Sequence, residues 1–196
     1  MERRALLSGT VHPGGRDPAP GRLALVQMLV NTVDREHGPD LLADAAGLAE
    51  WLAARGLLEP GAAHPTGADV EAARGLREAL RALMHVNNGA PGEPGARAAL
   101  EAAAARAELR PMLPPEGPEL VPGRGGVDGA LGRVVAATFA AMLDGSWPRL
   151  KACPREVCGW AFYDRSSNAS ATWCSMAVCG GRAKAGAYYR RRRAAD

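Results

Sequence analysis

Four cysteines near the C-terminal end are the residues in this sequence best suited to chemistry. Cys153 and Cys158 form one pair and Cys174 and Cys179 a second, each with the spacing Cys-x4-Cys, and a fifteen-residue insert separates the two pairs. A pair at this spacing can present two thiolates to one ion from a tight turn, and two pairs complete the four-sulfur shell of a structural Zn²⁺ site. We therefore predict one structural zinc ion bound by these four residues.

Other uses of four cysteines were weighed against zinc. Two disulfides would need the same residues, but such bonds persist mainly in exported proteins. In the first residues, MERRALLSG, the positive charge is followed by only three apolar residues, too few for a secretory signal. No run approaches the roughly 18 to 20 apolar residues of a membrane span. Unrelated buried cysteines are not expected to fall into matched pairs. We expect a cytoplasmic protein with no membrane partner.

Composition and charge bear on fold class and partner. The chain has 196 residues, of which 47% are hydrophobic and only 5% aromatic, and alanine is abundant, which favours a mainly helical fold with close helix contacts. From Lys151 onward nine Lys/Arg face three acids, a net charge of +6, whereas the remainder carries −3. A basic end suggests an anionic partner, most commonly nucleic acid. The alternative is a solvated helix end without a partner.

The elements before the cysteines are predicted to be helices. Residues 1–20 are rich in Pro and Gly, so we expect a poorly ordered arm. A helix over 23–33, closed by Asn31 and Thr32, should bury 25, 28, 29 and 32, and Asp44 should cap a second helix. Thr66 with Asp69 should form a capping box for a third helix, which should fray near Asn87 and Asn88. Its predicted inward residues are Val70, Ala73, Leu76, Leu80, Leu83 and Met84. Short apolar pieces near 112 and 120 could pair as a hairpin. Asp128 should cap the helix before the cysteine region, whose predicted inward residues are Leu131, Val134, Val135, Thr138, Phe139 and Met142.

The cysteine region, 147–196, predicts a small zinc module. Gly159 suits the tight turn of a zinc knuckle, and Trp160, Phe162 and Tyr163 have strand character. A returning strand would bring Trp173 and Cys174 back to the first pair. A basic helix, 182–193, follows. Together these elements predict a mainly α protein with small β-hairpin content: a helical domain over 21–146, then a treble-clef-like zinc finger with four cysteine ligands.

These residues resemble a known family. The segment from Trp173 to Tyr188, Trp-Cys-Ser-Met-x-x-Cys-Gly-x-Arg-x-Lys-x-x-x-Tyr, is similar to the C-terminal signature of the CGNR zinc-finger proteins, and Cys-x4-Cys-Gly-Trp-x-Phe-x-Asp from Cys153 fits the same pattern. In that family the finger follows a largely helical domain called ABATE, and members are described as stress-induced transcription regulators. The resemblance implies a zinc-binding transcription regulator that contacts DNA.

The sequence departs from that family pattern at two places. Gly181 stands where the family name has Asn; an Asn there could cap the next helix or accept positive φ, and glycine keeps only the second role. The family hairpin also typically carries arginines where this chain has Ser167, Ala171 and Thr172. A hairpin without those charges is less suited to gripping phosphate.

The basic helix is the predicted working surface, because a shell of four cysteine ligands leaves zinc no open position for catalysis. Alternatively, Lys184, Tyr188 and Tyr189 pack the finger onto the helical domain. A second hypothesis is a module whose helical domain binds a small-molecule effector or a protein, with the finger as a docking element. An enzyme is not expected, since the four histidines are scattered and no catalytic grouping has a motif spacing. The residues predicted to contact DNA are Arg182, Lys184, Tyr188, Arg190, Arg191, Arg192 and Arg193.

Overall fold

A computed structural model describes residues 7–9, 15–36, 38–59 and 61–193, except for the side chains of Tyr189 and Arg190. The fold is mainly helical with two small antiparallel strand pairs, as predicted. Its elements in chain order are α1 (Leu23–Val30), α2 (Ala45–Ala53), α3 (Gly67–Val86), α4 (Pro94–Arg106), β1 (Arg110–Met112), β2 (Glu119–Val121), α5 (Gly126–Leu143), a 3-10 turn (Trp147–Arg149), β3 (Leu150–Ala152), β4 (Ala161–Tyr163), a π-turn (Met176–Gly180) and α6 (Gly181–Arg193).

Helix α3 lies at the centre of the helical body, residues 21–146. Its 20 residues span about 30 Å. The predicted capping box is present, since Thr66 Oγ1 accepts from Asp69 N and the Asp69 carboxylate accepts from Thr66 N at 2.8 Å. All six predicted inward residues are buried: Val70, Ala73, Leu76, Leu80, Leu83 and Met84. Asp44 caps α2 as predicted, accepting from Gly47 N at 2.8 Å.

The inward face of α1 differs from the prediction by about one residue. That of α5 is as predicted at Leu131, Val134, Val135 and Thr138 and differs only near its C-terminal end. In α1 the fully buried side chains include Val26, Leu29 and the polar Gln27, which faces the zinc module, while Met28 is only partly buried. A helix contacted on two sides has no single apolar stripe, so periodicity alone misplaced its face. The structure also corrects the predicted end of α1, which stops at Val30 rather than at 33.

In α5 the predicted inward residues Phe139 and Met142 are instead 47% and 41% exposed. Each directly follows a buried residue, Thr138 and Ala141, so each points about 100° away from the core. Asp128 is not the cap either: α5 begins two residues earlier, and Asp128 accepts a hydrogen bond from Arg106 Nε at 3.1 Å. Two glycines before it let the chain enter the helix earlier than the Asp signal suggested.

Two hairpins connect and follow the helices. The predicted hairpin near 112 and 120 is β1–β2, with Pro111 opposite Leu120. The second hairpin, β3–β4, pairs Lys151 with Phe162. The prediction of a strand returning through Trp173 was wrong, because β4 pairs with residues 150–152 before the first cysteine, and 171–174 form no strand.

Within the described part of the chain, one helix is long and apolar enough by length and composition to cross a membrane. This helix is α5, with 18 residues, of which 56% are buried inside the fold. Many of its residues are small, and helices in the core of a globular protein pass the same test. Its length is therefore weak evidence for a membrane.

Candidate metal centre and its attachment to the helical body

The four cysteines come together as the sequence predicted. Their sulfur atoms all lie within 4.8 Å of one another. The sulfur of Cys174 is 3.7 Å from those of Cys158 and Cys179. A tetrahedral zinc ion with Zn–S bonds of about 2.3 Å requires S···S distances of about 3.8 Å. A disulfide would instead require about 2.05 Å, and all four cysteines are free thiols. The donor set therefore fits one zinc ion.

Each pair of ligands is positioned by a compact turn. In the first, Cys153 follows β3 and its N–H donates to Trp160 O at 2.9 Å, while Cys158 N donates to Arg155 O at 2.8 Å. Gly159, which was predicted to suit the tight turn of a knuckle, has φ of 56°, in the left-handed region that favours glycine. In the second turn, Ser175 Oγ accepts from Val178 N at 3.2 Å, and Gly180 N donates to Ser175 O at 3.0 Å.

The packed thiols cannot all ionise without a cation. Hydrogen bonds from Cys158 and Cys174 lower the pKa of Cys153 to about 2. The same hydrogen bond raises the pKa of Cys158 to about 12, and Cys153 and Cys158 also raise the pKa of Cys174. A divalent cation would offset the repulsion between neighbouring thiolates, so that all four could bind it in the deprotonated form. With four thiolates bound it has no open position, so its role is structural.

One asparagine completes the edge of β4. Ala161 N donates to Asn31 Oδ1 at 2.8 Å, and Asn31 Nδ2 donates to Ala161 O at 2.9 Å. Gln27 Nε2 adds a hydrogen bond to the same carbonyl at 3.1 Å. The Asn31 amide thus replaces a neighbouring strand for a buried residue whose backbone groups would otherwise be unpaired. Asn31 was predicted only to close α1.

The C-terminal end of α3 attaches to the other side of the hairpin. Asn87 Nδ2 donates to Trp147 O and Leu150 O at 2.9 and 2.8 Å. Asn88 Nδ2 donates to Ala152 O and Thr172 O at 2.9 and 2.7 Å. From the middle of the helix, the buried guanidinium of Arg81 donates to Gly159 O and, at 2.8 Å, to Val30 O. The sequence pattern marked these asparagines only as a helix end.

A buried ion pair shapes the insert between the two cysteine pairs. Lys151 Nζ donates to Asp164 Oδ2 at 2.9 Å and to the carbonyls of Ala169 and Ala171 at 2.5 and 3.1 Å. Burial alone would raise the pKa of Asp164, but hydrogen bonds from Ser166 and Lys151 outweigh it and lower the pKa to about 2. The pair therefore stabilises the turn as a structural element. In the sequence, Lys151 is recognisable only as one of the basic residues of the C-terminal end.

A carboxylate of the helical body binds the first cysteine turn and the start of α6. Glu36 accepts two hydrogen bonds from Arg155 at 2.7 and 2.8 Å and one from Arg182 at 2.6 Å. These bonds, that of Arg155 first, lower the pKa of Glu36 to about 2, and Glu36 in turn raises the pKa of Arg155. We call Glu36, Arg155 and Arg182 the clasp. Arg182, predicted to contact DNA, thus already has an acidic partner.

Part of the N-terminal arm also contacts the metal module. Arg16 donates to Cys174 O and Trp173 O at 2.8 and 3.1 Å and lies 5.0 Å from the ring centroid of Phe162. Ala19, which is buried, donates its N–H to Gln27 Oε1 at 2.7 Å. Residues 16–19 are therefore attached to the fold, unlike the poorly ordered arm expected over 1–20. Residues 1–6 and 10–14 lie outside the described part.

The basic helix α6 presents most of its described charges to solvent. Lys184, Arg191, Arg192 and Arg193 are exposed, Tyr188 is 50% exposed, and the Arg182 side chain is 52% exposed. The Arg190 and Tyr189 side chains lie outside the described residues. Gly181 adopts φ of −61°, an ordinary helical value, so the ability of glycine to accept positive φ is not used at this position.

Comparison with known proteins agrees with the two parts of the structure. Residues 21–146 match the ABATE family model, described as a putative stress-induced transcription regulator. Residues 149–192 match the CGNR zinc finger. None of the curated proteins compared with the chain matches it. Because the ABATE match covers more than half of the chain and the finger follows in the expected order, the chain belongs to the ABATE family of proteins with a C-terminal CGNR zinc finger.

Proposed function

We propose that this protein is a non-catalytic, DNA-binding transcription regulator of the cytoplasm, in which zinc supports the structure and α6 contacts the duplex. The observation that carries the proposal is an exposed cationic helix that contains no acid and starts at the metal centre. From Gly181 to Arg193 the helix has two basic residues in its first turns and four consecutive arginines at its end. Such a surface suits phosphate groups, which supply affinity for DNA without specifying a sequence.

Attachment to the helical body supports this function. Since the hairpin is hydrogen-bonded on both sides by Asn31, Asn87 and Asn88, α6 projects from a fixed base. A fixed base loses less conformational entropy on binding than a finger on a flexible linker. A signal received by the helical body could then alter the position of α6 directly.

The test is DNA binding as a function of salt. We expect the zinc-loaded chain to bind random-sequence duplex DNA at about 50 mM salt and to weaken steeply toward about 200 mM. Replacing Arg191, Arg192 and Arg193 by Ala should reduce the log–log salt slope by about 2.7, or roughly 0.9 for each phosphate that is no longer neutralised. A matched control replaces three exposed arginines of the helical body, Arg110, Arg124 and Arg133, which changes the net charge equally.

Two results would contradict the proposal. One is the absence of binding at low salt by the wild-type chain. The other is an equal change of slope in both triple variants, because a general charge effect would then explain the binding without α6.

Binding of an effector by the helical body has less structural support. A cavity of about 170 Å³ lies between α3, α4 and α5, lined by Gly75, Ala99, Ala103 and other small residues and bordered by Arg106 and Asp128. Ligand pockets usually measure about 300–1,000 Å³, so this cavity would take only a very small molecule without rearrangement. Effector binding stays a prediction.

A further inference from the structure

The finger exposes an apolar surface beside its basic helix. Val157, Met176 and Val178 are 46%, 51% and 45% exposed, and Ala177 is exposed between the last two. We call these four residues the knuckle tip. Val157 and Val178 occupy the same position in the two cysteine pairs, directly before the second cysteine. Because the four sulfur atoms lie within 4.8 Å of one another, both valines flank one metal centre.

The knuckle tip is exposed yet held in place by its backbone. The turn that carries Met176 and Val178 is capped by Ser175 and continues without a break into α6. A Cβ at Gly180 would lie 2.6 Å from Met176 Sδ, so the glycine allows Met176 to pack closely against this turn. Zinc would hold the two turns together. A preorganised apolar surface of this kind can bind without a large ordering cost.

Charge indicates which partner fits the knuckle tip. From Ser175 to Arg193 the chain has six Lys/Arg and no acid, so Met176, Ala177 and Val178 belong to one continuous segment with the cationic helix. Val157 lies on the first cysteine turn, directly after the exposed Glu156. Duplex DNA offers both complements, phosphates along its backbone and thymine methyl groups in its major groove. A membrane surface fits less well, since the only large apolar residues of α6 are two adjacent tyrosines and a membrane-surface helix needs an apolar stripe.

We propose that the knuckle tip is the base-reading surface of the finger, with Val157, Met176 and Val178 contacting thymine methyl groups while the arginines of α6 hold phosphates. This inference rests on the proposed DNA binding and deepens it. Affinity and its salt dependence then belong to α6, whereas preference between sequences belongs to the tip. The two properties can be separated by mutation.

The experiment uses the full zinc-loaded chain and a duplex selected by it from a random library. Binding is compared with the same duplex in which every thymine is replaced by deoxyuridine, which lacks the methyl group. We expect wild type to bind the uracil duplex about tenfold more weakly, the scale of a single base contact. The variant Val157→Thr/Met176→Gln/Val178→Thr should lose this discrimination and keep the wild-type salt slope.

A matched control tests whether any exposed apolar residue has the same effect, and the zinc content shows whether the finger of each variant is still folded. Phe139→Gln/Leu143→Gln removes exposed apolar side chains from the helical body, where Leu143 is 76% exposed, and should leave discrimination unchanged. If the triple variant binds less than one zinc ion, Val157→Thr and Val178→Thr are measured singly. If the tip reads thymine, each single variant should show a preference for the thymine duplex over the uracil duplex that is about threefold smaller than that of wild type.

The possible failures are distinguishable. A wild-type chain that binds no duplex DNA overturns both the proposed function and the base-reading tip. Wild-type binding with equal affinity for the thymine and uracil duplexes overturns the tip alone. Discrimination that survives in the variants also overturns it and leaves the tip available to a protein partner.

Discussion

The two sides of the zinc finger differ in their contact with the rest of the molecule: one is buried against the helical body and the other is exposed. On the inner side, all six residues of β3 and β4 are buried, and side chains of the residues that follow α1 and α3 bind their backbone. On the outer side, the second cysteine turn and α6 expose both apolar and basic residues. The difference shows that the inner side of this finger is packed and hydrogen-bonded against the helical body, rather than joined to it only through a flexible linker.

The two hairpins show what decides that difference. Each has two three-residue strands, but β1 is exposed and β2 only half-buried, whereas β3 and β4 are buried throughout. Two-stranded hairpins of this size are not stable by themselves in water. The burial of β3–β4 therefore comes from the distant asparagines and the apolar core, not from the strands.

Loss of the metal should have the largest effect on both sides. In Cys174→Ser, or after chelation, we expect the finger to unfold and the whole chain to melt more than about 10 °C lower, because several kcal/mol of attachment are lost at about 2–4 °C per kcal/mol. Zinc content and circular dichroism melting measure this. Ser167→Ala is the control. An unchanged melting temperature of the helices would show that the finger contributes nothing to the stability of the helical body and is joined to it only by the chain.

Loss of a hydrogen bond between the helical body and the hairpin, with the zinc ligands intact, should have the second largest effect on stability. Asn31→Ala leaves the buried N–H of Ala161 without a partner, while its C=O keeps the hydrogen bond from Gln27, so we expect a loss of about 1–3 kcal/mol in the free energy of unfolding. Denaturant titration measures it. Asn168→Ala, which removes only an exposed hydrogen bond to Ser170, should change stability by less than about 0.5 kcal/mol. Equal effects would contradict the role assigned to Asn31.

The clasp should add a smaller, pH-dependent contribution. Because the folded pKa of Glu36 is about 2 against an ordinary value of 4.5, its contribution is present above pH 4.5 and disappears as the pH falls toward 2. Glu36→Gln should therefore lower stability at neutral pH and reduce its loss in acid. Subtracting the two stability curves cancels the cysteine protonation common to both proteins. Glu119→Gln, whose partner is a single exposed arginine at 3.4 Å, is the control. Parallel curves for wild type and Glu36→Gln would contradict the clasp.

Restoring the family residue Asn at the start of α6 should have the smallest effect on stability. Gly181 has helical φ, and the nearest atom to an added Cβ is Met176 O at 3.8 Å, so Gly181→Asn fits without strain. We expect a change within about 0.5 kcal/mol and an unaltered zinc content, measured by thermal melting and metal analysis. A large loss of stability would mean that position 181 requires glycine after all.

Local signals accounted for much of the fold. The caps at Asp44 and Thr66, the apolar face of α3 and the spacing of the cysteines act within a few residues, and the structure confirms each one. The inward face of α1 and the C-terminal part of that of α5 were misplaced, since they depend on which other elements surround each helix. The returning strand was misplaced for the same reason: strand character marks residues 160–163 but not their partner.

The sequence by itself determined the metal site, because ligand identity and spacing along a short segment are enough to specify a tetrahedral sulfur shell. Tertiary structure decided what that site is attached to and what it presents. Asn31 and Glu36 lie more than a hundred residues from the groups they bind, Ala161 and Arg155, so no local pattern links them. Hydrogen bonds and ion pairs of this range exist only after the chain has folded, and they leave α6 and the knuckle tip as the exposed side.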